Sequence, residues 1–275
     1  MERFDAALRS ARAAGRPIVV PYLMVDRRRA DRLPAVVEAL ARGGASALEL
    51  GFPFSDPIAD GPTLEAAAGK ALEHHTRWAD LLAQVRVAST LLPTAVMTYA
   101  NPVWNRGLRP AMGELRCAGA GGLIVPDLSF EEAGPWMRAA RSSGVSLVLF
   151  AAPAISPRRV EQIARLSAGF LYLVSRYGTT GRNRPAVSAD LAPLVQAAHR
   201  AAPSLPVLVG FGVRDRASAA RALASGADGV IVGSALEELL QDHPSAETLQ
   251  RFLHEIAGPK ARGRAGLRRR PRAPG

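Results

Sequence analysis

Short apolar runs recur along the chain, separated by longer stretches in which apolar residues return at helical spacing. Eight runs stand out: PIVVPYLM (17–24), ALELG (47–51), TAVMTY (94–99), GGLIVPD (121–127), SLVLFAAP (146–153), FLYLVS (170–175), PVLVGFG (206–212) and GVIVGS (229–234). They are rich in β-branched and aromatic residues and apolar on both faces, as strands buried on both sides are. Between them, LPAVVEALARGG, EEAGPWMRAARSSG, PRRVEQIARLSAG, LAPLVQAAHRAAP and RASAARALASGADG read as amphipathic helices, many closed by a glycine suited to the left-handed C-terminal position. Strand followed by helix, repeated eight times, predicts an α/β fold of the (β/α)8 TIM-barrel type rather than an open doubly wound sheet. Residues 2–14 predict an extra N-terminal helix capping the bottom of the barrel.

The chain has 275 residues, 48% of them hydrophobic, enough for one large core. Its formal charge of +11 is unevenly spread. Residues 259–275 carry Lys260 and six arginines without an acid, so the rest carries 11 − 7 = +4. Such a Gly/Pro/Arg segment cannot bury apolar area to offset its ordering entropy, so it reads as a disordered basic tail behind a single catalytic domain of residues 1–258. A solvated appendage is expected there, and nucleic acid is not the expected partner. No apolar run reaches the length of a membrane span and the N-terminus lacks signal-peptide features, which sets a cytoplasmic enzyme as the expectation. The single cysteine, Cys117, excludes an internal disulfide and reads as a small buried residue.

In a barrel of this kind, chemistry belongs at the C-terminal ends of the strands. Glu49 lies inside the second strand, and alternation in ALELG points it away from Leu48 and Leu50, into the barrel. None of the eight strand runs contains a lysine or arginine to pair with it. A lone inward carboxylate is costly, and burial raises its pKa into the range of acid–base work. Asp60 follows in the loop LELGFPFSDPIADGP. After the last strands come the glycine-bearing loops SRYGTTGRNRP (175–185), VGFGVRD (209–215) and VGSALEE (232–238), the last opening a helix. Backbone amides there suit a phosphate. The long loop around Thr179 and Thr180 has the character of a lid. Schiff-base chemistry lacks a lysine at any strand end, since only Lys70 and Lys260 exist; a metal site lacks histidines at a strand mouth. Proton transfer by Glu49 and Asp60 on a phosphorylated substrate with its own electron sink remains.

The block LELGFPFSDPIADGP, followed in order by YANPVWNRG (99–107), GLIVPDLSFEE (122–132), YLVSRYGTTG (172–181), VGFGV and IVGSA, resembles the tryptophan synthase alpha chain family over roughly residues 2–257. The resemblance implies a cofactor-free carbon–carbon lyase that cleaves indole-3-glycerol phosphate to indole and glyceraldehyde 3-phosphate, with indole as the electron sink. It implies Glu49 as the general acid–base group and Asp60 as acceptor of the indole N–H. Tyr22, Tyr99, Tyr172 and Phe211 would contact the substrate. Gly181, Gly212, Gly233 and Ser234 would hold its phosphate, and Thr180 would order Asp60 on lid closure. No metal and no cofactor are implied in this chain; pyridoxal phosphate would belong to a beta subunit that docks in an αββα complex, partly on Pro53, Phe54, Ser55, Asp56 and Pro57. A stand-alone indole-releasing lyase and a non-catalytic barrel with a nucleic-acid-contacting tail are the alternative readings. The sequence departs from the family pattern in MVDRRRADR (24–32), at Ser129 and at Thr179.

Overall fold

The computed structural model describes residues 2–175 and 191–258. Eight parallel strands close into a barrel in which each pairs with the next and β8 returns to β1. They are β1 Ile18–Met24, β2 Leu48–Gly51, β3 Thr94–Met97, β4 Ala120–Ile124, β5 Ser146–Ala151, β6 Leu171–Val174, β7 Val207–Gly210 and β8 Gly229–Val232. All eight predicted runs are strands, with ends displaced by up to three residues.

Two cores explain why the strands are apolar on both faces. Leu48, Leu50, Val96, Leu123, Leu171, Leu173, Val207 and Val209 point outward and pack under the helices. Ile18, Val20, Tyr22, Met24, Ala95, Met97, Ile124, Val148, Tyr172, Leu208 and Ile231 fill the interior. α1 (Glu2–Ala13) closes the bottom, with Phe4 and Leu8 fully buried against that interior. A Cβ on Gly121 would collide with the Phe4 side chain, so this glycine is what admits the plug.

The outer ring consists of α2 Leu33–Arg42, α3 Pro62–Glu73, α4 Trp78–Leu91, α5 Ala100–Arg106, α6 Leu108–Ala118, α7 Ala133–Ser143, α8 Pro157–Leu166, α9 Ala192–Ala201, α10 Arg216–Ala224, α11 Ser234–Gln241 and α12 Ala246–Ala257. β2, β3 and β8 are each followed by two helices rather than one. Gly144, closing α7, takes the left-handed conformation with φ of 70° as expected of a C-terminal glycine.

The arginine-rich departure after β1 forms a short 3-10 helix, Arg27–Arg32, whose start is fixed by Asp26. Asp26 accepts the Arg28 amide at 2.9 Å and contacts the His74 ring at 3.0 Å, while its carbonyl accepts from Gln84. Arg29 reaches the buried carboxylate of Glu237 in α11 at 2.7 Å, and Glu237 also accepts the Met24 amide at 2.6 Å. Side-chain anchors therefore fix this segment.

Cys117 is exposed, contrary to expectation. The buried stripe of α6 is Ala111, Met112, Leu115 and Ala118, and position 117 falls one step off it. The proposed tail lies outside the described residues. Among those described, no helix is long and apolar enough to cross a membrane.

Candidate active site

Glu49 is the second residue of β2, beside Tyr22 of β1 and Ala95 of β3 in register. Its neighbours Leu48 and Leu50 serve the outer core, so alternation forces Glu49 inward. It is fully buried, and neither carboxylate oxygen has a hydrogen-bond partner among the described residues. Burial, with a smaller contribution from the charge of Asp60, raises its pKa to about 8. At neutral pH the group is therefore mostly a neutral acid, able to give a proton before it takes one.

Asp60 is placed by its loop. Phe54 stacks on Tyr99 with ring centroids 5.2 Å apart, and the Tyr99 hydroxyl accepts the Ala59 amide at 3.0 Å while hydrogen-bonding to Asp60. The Asp60 amide in turn donates to the carbonyl of Pro57 at 3.0 Å. Asp60 is buried, and its Oδ1 has no partner among the described residues. Burial raises its pKa to about 7, against the lowering effect of the Tyr99 hydrogen bond and with Glu65 adding to the rise. Gly61 follows as the residue before α3, with Pro62 opening the helix. Asp-Gly-Pro thus turns the chain from the acid directly into a helix.

A cavity opens at this end of the barrel between Glu49, Gly61, Tyr22 and Tyr172 on one side and Phe211, Gly212, Gly233 and Ser234 on the other. Tyr172 stacks on Phe150 at 4.5 Å and meets Phe211 edge-on at 5.5 Å. Leu64, Met97 and Ile231 add apolar wall. The recess is largely aromatic and apolar, with Glu49 and Arg214 as its charged lining residues, which suits an aromatic ring carrying an anionic group. Two glycines make room for it: a Cβ on Gly51 would strike the Tyr22 ring and one on Gly210 the Tyr172 ring. Phe211 adopts φ of 60°, a left-handed conformation rare for a bulky residue, and the Ser175 hydroxyl donates to its carbonyl.

At the far side the chain turns at Gly212, with φ of 124°, and α11 begins at Ser234 directly after Gly233. A helix start presents backbone N–H groups without intrahelical acceptors and the positive end of the dipole, aimed here at the cavity. Two predicted site residues, Asp60 and Tyr99, are not among the residues lining the cavity; they lie together beside it, joined through the Tyr99 hydroxyl. Thr180, Gly181 and the departure at Thr179 lie outside the described residues. Leu64, Arg214 and the two tyrosine-accommodating glycines were not anticipated. Only the period-2 alternation in LELG and VLVG carried a signal for the glycines, since it places Gly51 and Gly210 on the inward face.

On the rim, the predicted docking loop has Pro53 buried, Phe54 and Pro57 half-buried, and Ser55 and Asp56 exposed. Ile58 beside it is 76% exposed, and Trp104 in α5 is 61% exposed. Ser129 is exposed and its hydroxyl donates to Glu132 at 2.9 Å.

Comparison with known proteins agrees with this geometry. The family model described as tryptophan synthase alpha chain matches residues 8–259. The chain is 40% identical over 262 residues to the tryptophan synthase alpha chain of Solibacter usitatus, covering 94% of this chain and 96% of that one. It is 41% identical over 262 residues to that of Halorhodospira halophila, covering 93% of each. Among solved structures, it is similar to a chain of Mycobacterium tuberculosis tryptophan synthase, with a TM-score of 0.81 and 36% identity over 93% of this chain and 96% of that one. It is also similar to a chain of the tryptophan synthase α2β2 complex of Pyrococcus furiosus, with a TM-score of 0.78 and 33% identity over 88% and 97%.

Proposed function

The chain belongs to the tryptophan synthase alpha chain family, and from that premise we propose that its barrel cleaves indole-3-glycerol phosphate to indole and glyceraldehyde 3-phosphate by proton transfer through Glu49. The observation that carries this is the buried carboxyl of Glu49, without a hydrogen-bond partner among the described residues, in the wall of an aromatic cavity. Glu49 begins protonated and gives its proton to indole C3, the carbon bearing the glycerol chain. The ring becomes a cation with its charge shared onto N1, whose N–H faces Asp60. Ionised Asp60 stabilises that charge as it develops, through the oxygen that Tyr99 leaves free. The Glu49 carboxylate then takes the proton of the adjacent glycerol hydroxyl. The carbon–carbon bond breaks, its electron pair restores the indole double bond, and an aldehyde forms. Glu49 ends as it began, protonated, so the cycle balances without a cofactor in this chain.

Tyr22, Tyr172 and Phe211 hold the indole, and Gly212, Gly233 and Ser234 hold the phosphate; the phosphate role expected of Gly181 and the ordering of Asp60 expected of Thr180 fall outside the described residues. The two acids need opposite protonation states at once, and their raised pKa values, about 8 and about 7, make that arrangement available near neutral pH.

The partner is a tryptophan synthase beta subunit, to which indole is delivered. Ile58, directly after the loop from Pro53 to Pro57, and Trp104 in α5 are large apolar side chains left exposed, which supports docking there. Indole release from indole-3-glycerol phosphate by the purified chain, with and without a beta subunit from a relative, tests the reading. Slow release that rises by orders of magnitude on adding beta is expected. Fast release with no response to beta would mean a free-standing lyase, and no release in either case would overturn the substrate assignment.

A further inference from the structure

Arg214, two residues beyond Gly212, is the one cation among the residues lining the cavity. Its Nη2 donates to Oε2 of Glu238 at 2.5 Å, and Oε1 of Glu238 accepts from the Thr63 hydroxyl at 2.9 Å. Glu238 stands four residues after Ser234 in α11, so the two lie on one face of the helix, a single turn apart. The guanidinium is thereby tethered to α11, and Arg214 lines the same cavity as Gly212, Gly233 and Ser234. A guanidinium has five N–H donors in a planar fork, more than one carboxylate occupies, so it can hold Glu238 and a second anion together. A substrate phosphate at Gly212, Gly233 and Ser234 would sit beside that fork.

We propose that Arg214 is a phosphate-binding side chain of this site, adding a full positive charge to the backbone amides, with Glu238 as its positioning residue and Thr63 orienting Glu238. This rests on the assignment of the glycine loops to a phosphate made above. It has a structural corollary. Thr63 lies in the first turn of α3, three residues after Asp60, so the chain Thr63, Glu238, Arg214 ties the phosphate end of the cavity to the helix that follows the second acid.

The test is calorimetric titration of the intact protein with glycerol 3-phosphate, which carries the phosphate without the aromatic ring, alongside titration with indole. Arg214→Gln is expected to weaken glycerol 3-phosphate binding roughly tenfold, about 1.4 kcal/mol, and to flatten its dependence on salt. Indole binding stays unchanged, and Arg214→Lys recovers part of the loss. Glu238→Gln keeps a carbonyl oxygen to accept from Arg214, its amide N–H donating instead to the Thr63 hydroxyl, but removes the negative charge, so phosphate binding holds or tightens. Equal weakening in Arg214→Gln and Glu238→Gln would make the pair merely structural and overturn the inference, as would undiminished binding in Arg214→Gln. Failure of the unaltered protein to bind glycerol 3-phosphate at all would instead overturn the assignment of the glycine loops.

Discussion

At the scale of single residues, the protein tolerates at Glu49 something that folding alone would remove. A buried carboxyl with no base and no hydrogen bond among the described residues costs stability, and the cost depends on pH in a defined direction. Its folded pKa, about 8, lies above the ordinary value of 4.5. Between these the folded state holds a proton that the unfolded chain has lost, so stability falls as pH rises across that window. Glu49→Gln removes the titration. Thermal melting should therefore show the variant more stable than the parent, by an amount on the order of a few kcal/mol near pH 8–9, with the two curves converging towards pH 4–5. A variant equally or less stable at high pH would mean that the carboxyl is compensated by a partner. The need for this acid was legible in the sequence, because ALELG has strict alternation and no strand supplies a counter-charge. The part Tyr99 plays in holding the Asp60 loop was not legible, because nothing along the chain shows that its ring stacks on Phe54 and its hydroxyl reaches back to the loop 40 residues earlier.

At the scale of elements, the site depends on strand ends that carry small residues opposite large ones. Gly51 faces Tyr22 and Gly210 faces Tyr172, each without room for a Cβ. Gly210→Ala should displace the Tyr172 ring from its stack on Phe150, costing roughly 1–3 kcal/mol and weakening indole binding more than glycerol 3-phosphate binding. Calorimetry with both ligands checks this; equal loss for the two would place the damage in the fold and not in the aromatic recess. The eight strands were legible because parallel strands are continuous apolar runs, and α1 because it precedes the first of them. The doubled helices after β2 and β3 were not, since α3 and α4 have weak amphipathic patterns and α5 is short and polar. The loop after β1 was legible only as a departure. The network that fixes it joins Asp26 to His74 and Gln84, and Arg29 to Glu237, across separations of 48 to 208 residues that no local pattern encodes.

At the scale of the whole molecule, the barrel sorts its work by end. Phe4 and Leu8 close the bottom, where burial serves stability, and the top carries the acids, the aromatic recess, the glycine turns and the apolar rim formed by Ile58 and Trp104. That division was legible once eight strand–helix units had been counted, because it follows from strand direction. The rim was less so, since the exposure of Ile58 and Trp104 is set by tertiary packing and not by local pattern. The measurement that bears most directly on the central claim is the rate of indole formation from indole-3-glycerol phosphate, with a beta subunit present, by the parent chain and by Glu49→Gln. If Glu49 both gives and takes the proton, the variant binds substrate but loses activity by at least roughly 10³-fold; a variant within tenfold of the parent would contradict the account.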